Sequence, residues 1–189
     1  MKKTILFVRA LLLLAFVILI GACSGKTTVK SDLGLSGAPD WVNEGTNILK
    51  DKNGRLFHGV GSAPPMGDMS LQKSTADERA RAEVARILSS YMDVVSNDYT
   101  ASTGNIGEAE QAVSRQIKNL TKINLTGAKI IGSWRDKKSN VIYSIAELDM
   151  QNVKATTQNV QDMNEGLRNY ISAQADNIFD KISSKEGKK

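Results

Sequence analysis

The chain predicts an α+β fold: a small, mainly antiparallel sheet packed by helices, with a long C-terminal amphipathic helix. Two observations carry this. Strand-like segments and segments with a 3.6-residue apolar period come in the order β-α-α-β-β-α, in runs rather than strict alternation. The last two strand-like segments are separated only by the polar turn Asp136-Lys137-Lys138-Ser139, so an antiparallel hairpin is the economical pairing.

The amino end stands apart from this domain. Lys2, Lys3 and Arg9 precede an apolar run from Ala10 to Ile20, and small residues follow, Gly21-Ala22-Cys23. Basic residues ahead of a short apolar segment, with small residues behind it, read as a secretory signal. A membrane-spanning helix wants about 20 consecutive apolar residues; Arg9 interrupts the stretch that starts at Ile5 and leaves a run of signal length. Ile20-Gly21-Ala22-Cys23 resembles the lipobox of bacterial lipoproteins, aliphatic-small-small-Cys. The resemblance implies cleavage before Cys23 and acylation of its thiol and new amino group with palmitate-type chains. Two or more such chains anchor stably, at about 0.8 kcal/mol per buried CH2. Ser24, where an aspartate tends to hold lipoproteins at the inner membrane, looks like outer-membrane sorting. The expected organisation is a signal peptide over 1–22, a flexible tether over 23–38, one α+β domain over 39–183 including the C-terminal helix, and a basic tail over 184–189. Cys23 is the expected lipidation site. As the only cysteine in the sequence, it leaves no internal disulfide and no multi-cysteine metal site.

Charge narrows the partners. The formal net charge of +5 loses three bases and no acid when Lys2, Lys3 and Arg9 are removed, leaving 22 bases against 20 acids, or +2. That balance argues against a nucleic-acid footprint, which needs a dense basic face. Aromatic residues make up 5% of the sequence, so a carbohydrate platform of exposed rings is not evident.

Taken in order, Ser24 to Ala38 is rich in Ser, Gly, Thr and Lys and has little to bury. As a coil its fifteen residues reach roughly 20 Å, and about 50 Å extended. The folded part opens at Pro39-Asp40-Trp41-Val42, and Asp51-Lys52-Asn53-Gly54 is a turn because Asn-Gly tolerates positive φ. Arg55 to Ala63 is a strand ended by Pro64-Pro65. Its glycines, Gly59 and Gly61, predict the close approach of a helix lying over it. That helix is expected from about Leu71 to Asn97, with Ala76, Ala80, Val84, Ile87, Leu88, Tyr91, Val94 and Val95 in one stripe. Its alanines would let it press closely on a sheet. A loop over Ser96 to Gly107 and a second helix from about Glu108 to Ile123 follow. Leu125 to Arg135 and Asn140 to Met150 are the hairpin strands. A single helix from about Gln151 to Ser183 closes the domain, carrying Val153, Val160, Met163, Leu167, Tyr170, Ile171, Ile178 and Phe179 mostly at spacings of three, four and seven.

Several of these pieces together resemble the LPP-twenty family of bacterial envelope lipoproteins and related flagellar outer-membrane lipoproteins. They are Pro39-Asp40-Trp41-Val42, Phe57-His58-Gly59-Val60-Gly61-Ser62-Ala63, the helix with Ala76, Ala80 and Ala85-Arg86, Gly132-Ser133-Trp134-Arg135-Asp136, and Tyr143-Ser144-Ile145-Ala146. The resemblance covers roughly Pro39 to Met150. It implies an outer-membrane lipoprotein with a compact α/β layer, no catalytic residues, and in some members a place in disks around the flagellar motor.

The candidate chemistry is sparse. His58 is the only histidine and reads as an ordinary strand residue beside Phe57 and Val60. Gly59-x-Gly61 begins like a dinucleotide fingerprint, but Pro64 stands where the third glycine belongs, so nucleotide binding is rejected. Asp77, Glu78, Glu83 and Asp93, interleaved with Arg79, Arg81 and Arg86, read as a solvated helix face. Trp41 and Trp134 serve as core or edge plugs or as stacking residues for a ligand. The C-terminal stripe either seals the chain's own sheet or offers a seam to another chain. Candidate contacts for a ligand or partner are therefore Trp134, Arg135, Tyr143, Leu167, Ile171 and Ile178, with no catalytic residue, metal or cofactor expected. The expected function is a lipid-anchored, non-enzymatic structural or interaction module facing the periplasm from the outer membrane. Its expected partners are membrane lipid through Cys23, and protein partners or further copies of itself. A small-ligand or peptidoglycan-binding domain is the alternative.

Overall fold

The computed structural model describes residues 33–51, 53–104, 108–160 and 163–186. The predicted signal segment, Cys23 and the tether as far as residue 32 lie outside the described residues. The elements are α1 (Asp40–Glu44), β1 (Asn47–Asp51), β2 (Gly54–Ala63), α2 (Met69–Thr103), α3 (Glu108–Leu125), β3 (Lys129–Arg135), β4 (Ile142–Asp149), α4 (Met150–Asn159) and α5 (Glu165–Glu186). The four strands form one antiparallel sheet in the order β1-β2-β4-β3, so the fold is α+β. The expected β3–β4 hairpin is present, with Trp134 opposite Tyr143 and Arg135 opposite Ile142. The central ladder joins β2 to β4, from Leu56 opposite Asp149 to Ala63 opposite Ile142.

Side chains alternate across a strand, so β2 turns Phe57, Gly59, Gly61 and Ala63 toward α2, and all four are buried. The two glycines do what their place in the strand predicted. A Cβ on Gly59 would stand 2.3 Å from the Ala80 carbonyl oxygen, and one on Gly61 2.3 Å from the Ala80 amide nitrogen. Ala76 and Ala80 supply the matching flat surface on α2 and are fully buried. Farther along, Phe57, Tyr91 and Phe179 pack edge to face at 5.4, 5.2 and 6.2 Å between centroids, joining β2, α2 and α5. Burial raises the Tyr91 pKa, and its hydroxyl donates to the Ala175 carbonyl at 2.7 Å. Arg55 seals the rim, donating from two nitrogens to Asp180 at 2.8 and 2.9 Å and lying 3.5 Å from Asp176.

Four expectations need correction. The α2 helix runs from Met69 to Thr103, through most of the predicted loop over Ser96 to Gly107. Tyr99 holds that extra turn: it is buried and its ring lies 5.3 Å from that of Tyr170, and only the left-handed Gly104 (φ 66°) ends the helix. The C-terminal helix is two helices. Val160 is extended, and Asn164 starts α5 afresh as its N-cap, its side-chain oxygen accepting from the Leu167 amide at 3.1 Å. Met163 within the break and Leu167 just after it are both buried, four positions apart, so the apolar spacing does not mark the break. The sequence reading omitted α1 and β1, and β1 pairs with β2 along its whole length. The strand expected from Leu125 begins only at Lys129, because α3 continues through Leu125 before a turn at Thr126-Gly127.

Candidate functional site

The strand β3 ends the sheet and alternates exposed with half-buried residues. A one-residue register shift between Ile130 and Gly132 bulges it, with Ile131 the extra residue, left 51% exposed. The turn that follows is closed by the side chain of its first residue. The Asp136 carboxylate accepts from the Lys138 and Ser139 amides and from the Ser139 hydroxyl, which holds it below the usual carboxylate range. Asn140 takes φ 56° and accepts from the Arg135 guanidinium at 2.7 Å. The buried Gln72 amide of α2 clamps this end of the sheet by donating to the Ala63 and Asn140 carbonyls at 3.0 and 2.7 Å.

Between β3 and the first turns of α2 lies an open groove of about 380 Å³. Met69, Ser70 and Lys73 line its helix side, and Ser133, Trp134 and Arg135 its strand side, together with Ile142. A hydrogen-bonded chain runs beside it. Lys73 donates to Asp77 at 2.7 Å, the buried Ser144 hydroxyl donates to Asp77 at 2.6 Å, and Ser133 and Ser144 share a bond at 3.3 Å. Desolvation pushes the Asp77 carboxyl up, but the bonds from Lys73 and Ser144 outweigh it and hold the group below its ordinary range. The bonds thus tie Ser133 on the edge strand through Ser144 to a carboxylate on α2.

The predicted contact residues divide into two sets. Trp134 and Arg135 lie on the groove, and Tyr143 stands across the hairpin with its ring 5.7 Å from that of Trp134. Leu167, Ile171 and Ile178 do not join them. All three are buried in the chain's own core with Phe57, Leu88 and Phe179, so of the two readings left open for that stripe, these residues follow packing within the domain. His58 lies on the sheet face away from α2, 2.8 Å from Glu147 and 3.3 Å from the Asn47 side-chain oxygen. Asp77, Glu78 and Glu83 each pair with a base on α2. Trp41 covers the sheet near Gly132 and Ile145. Among the described residues no three His, Cys, Asp or Glu side chains group as a metal site, and no helix is long and apolar enough to cross a membrane.

The sequence reading missed Met69, Ser70, Lys73 and Ser133 as groove residues. Part of the signal was available: Lys73 and Asp77 are four apart on a helix, and Ser133 and Ser144 fall opposite one another once the hairpin is registered. That α2 starts beside β3 depends on the Gln72 clamp, which no local pattern announces.

No protein-family model matches the chain, and no curated protein sequence matches it.

Proposed function

We propose that the chain is a lipid-anchored cell-envelope lipoprotein whose domain acts as a non-enzymatic structural or protein-interaction module in the periplasm or at the outer membrane. Flagellar or envelope assembly is the sharper form of this reading. The observation that carries it is Ile20-Gly21-Ala22-Cys23 directly behind a short apolar run with basic residues ahead. An acylated Cys23 followed by a polar tether would hold the α+β domain near a bilayer while leaving its surfaces free to meet partners. The test is mass spectrometry of the membrane-fractionated protein, wild type beside Cys23→Ala. The reading expects a mature mass with acyl groups on Cys23 in the outer-membrane fraction, lost in the variant. A wild-type protein that stays uncleaved or remains in the soluble fraction would overturn it.

One observation favours the second reading, a small-ligand or peptidoglycan-binding domain: the groove carries an indole, a guanidinium, an ammonium and two hydroxyls on adjoining walls. Saturable binding of soluble peptidoglycan fragments, weakened by Trp134→Ala, is what that reading expects.

A further inference from the structure

We propose that the outer edge of β3, with the groove beside it, docks an extended acidic segment of a partner protein, which adds to the sheet as a fifth strand. The inference rests on the interaction-module reading and gives it a surface and a partner chemistry.

Three features coincide at this edge. The first is main chain: among the described residues β3 pairs only with β4, so one side of its seven residues presents amides and carbonyls without a ladder partner. An extended peptide completes such a row, drawing affinity from the backbone and specificity from the side chains on either side. The second is apolar surface. Charge, proline and bulges guard a strand edge; β3 has charge and a bulge, but it also exposes apolar surface. Here Ile131 is 51% exposed on the strand and Met69 59% exposed across the groove.

The third is charge. From Lys129 to Asn140 there are four bases and one acid, and the acid, Asp136, is bound within its own turn. Across the groove Asp77 is already engaged by Lys73 and Ser144. Lys129 stands opposite Glu147 in the ladder, so the excess of positive charge lies at the other end of the edge, on exposed Arg135, Lys137 and Lys138, with Arg135 oriented by Asn140. A strand alternating carboxylate and aliphatic side chains complements both features; a basic or proline-interrupted one complements neither.

The full chain in detergent, bearing Cys23→Ala so that the outcome is independent of acylation, is titrated with a labelled heptapeptide alternating Glu with Val or Ile, and with its lysine counterpart. The acidic peptide is expected to bind, to weaken about tenfold in Arg135→Glu but not in Arg135→Lys, and to protect β3 amides from hydrogen exchange. Absence of binding, equal binding of the lysine peptide, or binding indifferent to Arg135→Glu would overturn the proposal. So would β3 amides protected instead by concentration-dependent self-association, which makes the occupant a second copy. Equal protection by phosphatidylglycerol vesicles, with no peptide effect, makes it a lipid surface and overturns the proposal as well.

Discussion

Replacing Gly61 with alanine is expected to unseat α2 from the sheet. The new Cβ would meet the Ala80 amide nitrogen at 2.3 Å, the Arg79 carbonyl carbon at 2.6 Å and the Ala76 carbonyl oxygen at 2.7 Å. All three are backbone atoms inside a helix, so no rotamer change relieves the clash. Ordinary contact begins at 3.4 Å, so strand and helix must part by about 1.1 Å. A gap near 1 Å forfeits up to about half of the dispersion attraction across the contact, here the one holding Phe57, Ala76, Ala80 and Val84. Overpacking typically costs about 1–3 kcal/mol, and rigid backbone on one side puts this case at about 3 kcal/mol or more. For a domain of this size that is a fall in Tm of about 6–12 °C. Gly132→Ala is the control. Its Cβ meets only side-chain atoms, of Ile145 at 3.3 Å and Trp41 at 3.9 Å, and its cost should stay under about 1 kcal/mol. Thermal unfolding followed by far-UV circular dichroism reads both. A Gly61→Ala protein melting within about 2 °C of wild type, or together with Gly132→Ala, would refute the close-approach account.

Leu167→Ala should cost about 2–5 kcal/mol in urea unfolding without changing the sedimentation coefficient of the folded protein; lost self-association at unchanged stability would restore the seam reading. Asp77 has a folded-state pKa below the 3.8 of an ordinary aspartate. Its contribution is therefore fully present above that value and is lost as pH falls through the folded-state pKa. Asp77→Asn should lower stability at pH 7 by about 1–3 kcal/mol, with the gap to wild type narrowing on acidification below about pH 4; urea titrations that show it widening would contradict the network. Asn164→Ala should cost about 1 kcal/mol and speed hydrogen exchange first at the opening turn of α5, whereas a helix continuous with α4 would show neither effect.

What was legible in the sequence followed from local periodicity. The alanines and glycines at Ala76, Ala80, Gly59 and Gly61 named the helix–strand contact from both sides, because only small residues permit it. The β3–β4 hairpin was legible because its polar turn is short. Three features depend on distant groups and were not. Tyr99 prolongs α2 because Tyr170 is there to receive it. Asn164 restarts the last helix where buried Met163 and Leu167, four apart, hide the break, and β1 is a strand by virtue of β2 beside it. For the site the division is the same. Trp134, Arg135 and Tyr143 stand out by residue type and hairpin position. Leu167, Ile171 and Ile178 show that an apolar stripe cannot say whose surface will cover it.

The central ladder sets a timetable for folding. Its partners, β2 and β4, are 79 to 93 positions apart in the chain, and α2, α3 and β3 all lie between them. A chain emerging amino end first, from a ribosome or through a membrane pore, must present β2 long before β4 exists to receive it. At about 5–20 residues per second the roughly 80 intervening residues take about 4–16 s. For that interval Phe57 and Val60 stand in the open beside unpaired amides, a state prone to association with other chains. The α2 helix can form and settle on Gly59 and Gly61 during the wait, since it follows β2 directly and needs nothing farther along the chain. The two glycines thus have a role in time as well as in space: they let the helix that follows β2 shelter one face of an unfinished sheet.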